Sequence, residues 1–234
     1  MTDLEIVEQS KTEARKLKKQ IAAQYCNKKD FPSDAEPVSV FMAGSPGAGK
    51  TESSQNLIRT LSDNHPVLRI DSDDFRKHLA GYDGSNSHLY QAAASILADY
   101  VHDCALDNKQ SFVFDGTFSN LDKARQNIER SLSRKRFVQI LYVYQDPFQA
   151  WEFVRARERK DGRRVPAASF ISQYFQARAN VNLLKREFGK RIKVDLVMKN
   201  IDGSDTAYKE NIDQIDSHIP ERYSENTLRE VIHD

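Results

Sequence analysis

The sequence is poor in the residues that hold a fold together by covalent or metal chemistry. It has two cysteines in 234 residues, Cys26 and Cys104, which form no CxxC pair, and its six histidines show neither HExxH nor any Cys/His ligand spacing. A disulfide framework and a protein-held transition metal are thereby excluded, and a reducing, cytoplasmic setting is expected. No apolar run is long enough to span a membrane, and the start MTDLEIVEQSKTEARKLKK is acidic and then basic, unlike a secretory signal. Charge excess of one sign is also missing: 35 Lys and Arg stand against 34 Asp and Glu, although 29% of the chain is charged. That balance argues against binding nucleic acid by bulk charge, which needs clustered cations to neutralise phosphates. Repeats and low-complexity tracts are absent.

What is present fits one enzyme-sized unit. A chain of this length buries about 70–75% of its unfolded surface without staples. Residues 1–36 read as a helical extension, ended by the two prolines of FPSDAEP, and residues 37–234 as a single domain. The short apolar runs VSVFMA (38–43), VLRI (67–70), SFVF (111–114), FVQILYVY (137–144) and KVDLVM (193–198) read as strands. They alternate with helical stretches at 51–62, 86–107, 120–132, 147–160 and 167–188. This alternation predicts βαβ units: an α/β fold of three layers, with a mainly parallel sheet of about five strands between helices. In the helix at 86–107, Leu89, Ala93, Ile96, Tyr100 and Cys104 fall on one face, with Asn86 as a candidate cap. Trp151, Phe153 and Tyr174 read as packing residues, the Lys-rich segment 11–29 as a solvated face, and 201–234 as a polar stretch without an assigned role. His65 and His78 have no evident partner.

The string GSPGAGKT, residues 44–51, matches G-x-x-x-x-G-K-S/T and lies between a predicted strand and a predicted helix. Gly44, Gly47 and Gly49 let the backbone of Ser45, Pro46 and Ala48 wrap around phosphates, while the following helix N-terminus supplies positive potential. Lys50 is expected to reach the β- and γ-phosphates of ATP, and the Thr51 hydroxyl to ligate Mg²⁺. A base-reading NKxD is missing, and the third strand does not end in Asp-Glu, which disfavours a GTPase and a mechanical ATPase. A small-molecule kinase needs a carboxylate near the γ-phosphate and arginines that neutralise the transferring group.

VLRIDSDDF supplies the acids. Asp71, Asp73 and Asp74 follow a strand directly, where doubly wound sheets hold their ligands. Asp73 can serve as a base or hold Mg²⁺ through water, Asp71 can be structural, and Asp74 can cap a helix beginning at Phe75. RARERKDGRR, 155–164, holds five of the eighteen arginines and follows a strand and a helix, the position of a closing lid. Arg157 and Arg163 are the preferred pair, with Arg155 and Arg164 as near alternatives.

Taken in order, GSPGAGKT, IDSDDF, FDGTFSN and the arginine segment ending GRRVP resemble the zeta-toxin family of bacterial toxin-antitoxin systems, whose members are P-loop kinases. The resemblance spans roughly residues 38–166. It implies ATP-dependent phosphorylation of the 3′-hydroxyl of the amino sugar in UDP-N-acetylglucosamine, and a small helical, epsilon-type antitoxin covering the nucleotide site. By the same resemblance Asp73 is the base, Arg157 and Arg163 are the lid arginines, and Asp99, Asp115 and Thr117 lie with Asp73 around the sugar nucleotide. The family usually has EGT where this chain has DGT (115–117), and a Glu where it has Asp99. A different hydroxyl acceptor, a polynucleotide 5′-end, or a nucleotide-dependent binding module without chemistry are the competing expectations.

Overall fold

The structure is a computed structural model that describes residues 1–61, 66–219 and 223–233. His65 and Ser62, the last residue of one expected helix, lie outside the described residues. A six-stranded sheet in the order β2-β3-β1-β4-β5-β6 forms the middle layer. Its strands are β1 (Val38–Ala43), β2 (Leu68–Asp71), β3 (Phe112–Asp115), β4 (Phe137–Tyr144), β5 (Lys193–Lys199) and β6 (Asp205–Lys209). The first five pair in parallel, and β6 pairs antiparallel with β5. The sequence reading of about five strands is one short. DTAYK of β6 is exposed along most of its length, so no burial pattern marks it. It is held by backbone pairing and by buried Asp195 of β5, which accepts from Tyr208 Oη at 2.6 Å and Asn211 N at 2.7 Å.

Helices α1 (Asp3–Tyr25), α2 (Lys50–Leu61), α3 (Ser72–Arg76), α4 (Ser87–Asp107), α5 (Leu121–Ser133), α6 (Pro147–Asp161), α7 (Ala167–Phe188) and α8 (Glu225–Val231) flank the sheet. Several boundaries have a local cause. Asn120 Oδ1 caps α5 by accepting from Lys123 N, Asp146 Oδ1 caps α6 with Pro147 in its first turn, and Gly162 ends α6 in the left-handed region. Asn86 sits at the N-cap position of α4 without capping it; its side chain donates to Gly81 O and accepts from Asp83 N. Of the expected face of α4, Leu89 and Ala93 are buried while Ile96, Tyr100 and Cys104 are half-buried; the buried face instead runs through Ala94, Leu97, Ala98, Val101 and Ala105. Ala14, Ile21 and Ala22 of α1 and its C-cap Cys26 join Leu89, Ala93, Leu97, Ala98, Val101 and Ala105 in one apolar cluster. Ile212, Ile215, Leu228 and Ile232, in the stretch without an assigned role, join that cluster too. His78, for which the sequence names no partner, hydrogen-bonds through Nε2 to Tyr25 Oη at 3.0 Å.

Candidate active site

Strand β1 leads straight into the phosphate loop, and α2 begins at Lys50. Gly44 has φ +134° and Gly47 φ +74°. A Cβ on Gly44 would run into the Val143 carbonyl oxygen of β4, and one on Gly47 into that of Ala150 in α6. Sheet and helix therefore press on the loop so closely that only glycine fits. Lys50 Nζ donates to Ser45 O at 2.7 Å, folding the side chain back over the loop. Lys50 is half-buried as a residue, and its ammonium is the enclosed end. Burial pulls its pKa from 10.5 down to about 8; Asp115 opposes the shift, Arg157 and Arg163 add to it, and Asp73 opposes it. Four of the residues singled out in the sequence thus act on one ammonium. Thr51 is exposed at the start of α2, and its hydroxyl has no partner among the described residues, which fits an Mg²⁺ ligand. Among the described residues no three His, Cys, Asp or Glu side chains form a metal site of their own.

The acid cluster is organised by an arginine that the sequence reading did not single out. Arg69, inside β2, pairs with Asp71, with Asp74 at 2.9 Å and with Asp115 at 2.9 Å. Asp71 and Asp115 are register partners at the ends of β2 and β3. One guanidinium cannot neutralise three carboxylates. Burial, then Asp73 and Asp115, hold the Asp71 pKa up at about 7 in spite of Arg69 and the bond from Asp73 N. That bond, 2.9 Å to Oδ1, makes Asp71 the cap of α3. The expectation that Asp74 caps a helix starting at Phe75 is therefore corrected: the helix starts at Ser72, and Asp74 lies in its first turn on Arg69. Asp115 also accepts from Ser54 Oγ of α2 at 3.1 Å.

Asp73 projects one step further. Its Oδ1 is 2.8 Å from Arg76 Nη1, and its Oδ2 pairs with Arg163 Nη1 in the connection between α6 and α7. Arg157 is exposed, and its charge reaches Lys50. Arg155 instead lies over the Trp151 ring and pairs with Glu158 at 3.5 Å. Trp151 and Tyr174 are buried packing residues, and Phe153 is half-buried. Thr117 O accepts from Gly44 N at 3.2 Å, and Thr117 Oγ1 bonds Ser119 Oγ at 2.8 Å, which ties the loop after β3 to the phosphate loop. Asn180 of α7 holds the same loop by donating to Phe118 O and Ser119 O. Asp99 stands apart from this group on α4, paired with Lys123 of α5.

Two cavities border these elements. One of about 470 Å³ is lined by Ser119, Asn120, Ser169, Ser172, Gln173 and Gln176, all uncharged and polar but for the neighbouring Ala168. The other, about 600 Å³ and mostly apolar, lies among α1, α2 and β2 and shares only Arg69 with the acid cluster.

A strand, a glycine-rich loop over a helix N-terminus, and acids at the ends of neighbouring parallel strands define the P-loop kinase fold. Within it, this chain belongs to the zeta toxin family, whose model matches residues 22–213. A solved structure from the PezAT chromosomal toxin-antitoxin system of Streptococcus pneumoniae has a TM-score of 0.65 and 14% identity, over 94% of this chain and 87% of that one. The AvrRxo1-ORF1:-ORF2 structure with ATP has a TM-score of 0.59 and 15% identity, over 87% of this chain and 64% of that one. A chain of the Pnkp1/Rnl/Hen1 RNA repair complex has a TM-score of 0.53 and 19% identity, over 64% of this chain and 47% of that one. At such identities these are likenesses of fold. No curated protein matches the sequence.

Proposed function

We propose that this protein transfers the γ-phosphate of ATP to a hydroxyl of a UDP-activated amino sugar, the 3′-hydroxyl of UDP-N-acetylglucosamine, and does so in the cytoplasm as the toxin of a toxin-antitoxin pair. The observation that carries the reading is the phosphate loop with Lys50 folded back on Ser45 O, together with the Asp73–Arg163 pair, whose charges both act on the Lys50 ammonium. A phosphoryl-transfer cleft needs this mixture: cations for the phosphates and one carboxylate for the attacking hydroxyl.

The loop amides and Lys50 bind the β- and γ-phosphates, and Arg157 and Arg163 close over the transferring group as a lid. Mg²⁺, when bound through Thr51 and the nucleotide, neutralises charge on the phosphate oxygens. Asp73 takes the proton of the acceptor hydroxyl as its oxygen attacks phosphorus in line, and ADP leaves. Asp115 and Thr117 border the acceptor, and Asp99 reaches it only after release from Lys123. The cavity beyond Thr117 supports an uncharged, hydrogen-bonding acceptor group, since its walls offer hydroxyls and amides and no charge. The family membership supports a helical, epsilon-type antitoxin as the partner that keeps the nucleotide site covered.

The test is incubation of the full chain with Mg-ATP and a panel of UDP sugars, with a 5′-hydroxyl oligonucleotide as competitor, followed by mass spectrometry. UDP-N-acetylglucosamine gaining one phosphoryl group is the expected product. ATP bound normally with no phosphorylated sugar contradicts the reading, and label on the oligonucleotide assigns the site to polynucleotide ends instead.

A further inference from the structure

Two arginines hold the two oxygens of Asp73, and they differ in how free they are to leave. Arg76, at the C-terminal end of α3, is 3% exposed. Its Nη1 stands 2.8 Å from Asp73 Oδ1 as an ion pair without a well-aligned N–H, and its Nη2 donates to Gln91 Oε1 on α4. Its Nε has no hydrogen-bond partner among the described residues. A buried guanidinium left this incompletely satisfied is costly, and a core position would be better served by an apolar side chain. Arg163, by contrast, belongs to the connection after α6, and its side chain is 26% exposed.

Both oxygens of Asp73 face a guanidinium, so an acceptor hydroxyl competes with two cations for the carboxylate. Of the two partners, the partly exposed Arg163 is the one that can yield, and the buried Arg76 is not. Resting on the kinase reading above, we infer that Arg76 is a positioning residue that fixes Asp73 through Oδ1, and that Oδ2 is the basic oxygen, released when Arg163 moves to the γ-phosphate. Nucleotide binding then performs two tasks with one motion. The triphosphate draws Arg163 away, and the vacated Oδ2 accepts the proton from the acceptor hydroxyl while the new O–P bond forms and the bond to the ADP oxygen breaks. Gln91 holds the outer end of Arg76 and so couples α4 to the base.

The experiment compares wild type, Arg76→Met and Arg76→Lys in the full chain, alone and combined with Asp73→Asn, under saturating Mg-ATP. Transfer to UDP-N-acetylglucosamine and the slow transfer to water are both recorded, with ATP affinity and thermal melting as checks on folding. Arg76→Met is expected to lower kcat about 100-fold with the KM for ATP within about twofold, and Arg76→Lys to recover about tenfold of that loss. In the Asp73→Asn background the Arg76 changes are expected to add less than about twofold, because a positioning residue acts only through the group it positions. Equal losses with and without Asp73, or a wild-type kcat in Arg76→Met, would overturn the inference. If Arg76→Met does not fold, Arg76→Lys carries the same comparison. If the wild type transfers phosphate to water but to no sugar, the acceptor assignment fails while the Arg76 comparison is still read on hydrolysis. No ATP turnover at all removes both.

Discussion

Lys50 combines a charge that the phosphates require with an enclosure that disfavours it. Its folded pKa of about 8 lies below the unfolded value of about 10.5. Between those values the unfolded chain holds more protons, so the nucleotide-free protein gains stability as pH rises through that window. Bound triphosphate favours the charged form, so ATP should bind with proton uptake near pH 8, up to about half a proton from Lys50. Calorimetry in buffers of different ionisation heat should show this uptake in wild type and its loss in Lys50→Met. Equal uptake in both proteins would place the proton elsewhere. Arg69 and Arg76 show what sequence reading misses at this scale. A lone arginine within VLRID or after DDF looks like a solvated charge, and only its burial beside carboxylates gives it a role. The available signal was a cation set inside an apolar strand run, which has to find acids nearby.

The elements that were legible are those whose pattern is physical and local. β4 and α7 fall on their expected boundaries, 137–144 and 167–188, because an apolar run between polar breaks and a long periodic stretch after Pro166 have few alternatives. β6 has neither signal: it is an exposed edge strand fixed by its neighbour and by Asp195. The start of α3 was misplaced because three acids within four residues, Asp71, Asp73 and Asp74, offer competing caps, and the choice of Asp71 depends on β2 ending there. The phosphate loop gives the prediction proper to this level. Gly47→Val meets both a positive φ and the Ala150 carbonyl oxygen, so the loop must open. ATP affinity should fall at least about tenfold through lost backbone N–H contacts, and the melting temperature without nucleotide should fall as well, because the clash is with backbone. Titration of the variant with ATP checks this, and wild-type affinity would show that the loop does not need its observed path.

Over the whole molecule, a net charge of +1 conceals two opposed local fields. Asp71, Asp73, Asp74 and Asp115 gather at the ends of β2 and β3, and the arginine segment after them in the chain sends Arg163 to Asp73. Arg163 paired with Asp73 is where the two fields meet. Charge balance excludes a bulk polyanion binder and is compatible with a cleft that holds one triphosphate. Acceptor identity was the least legible feature, because Asp99, implied by resemblance alone, is engaged with Lys123, while the uncharged cavity wall on α7 carries no motif. Asp73 as the base of the proposed phosphoryl transfer is checked by the turnover of Asp73→Asn with saturating Mg-ATP and UDP-N-acetylglucosamine, measured beside its ATP affinity. A fall in kcat of about 10²–10⁴-fold with ATP affinity within about twofold is predicted. Turnover at the wild-type rate would contradict the account.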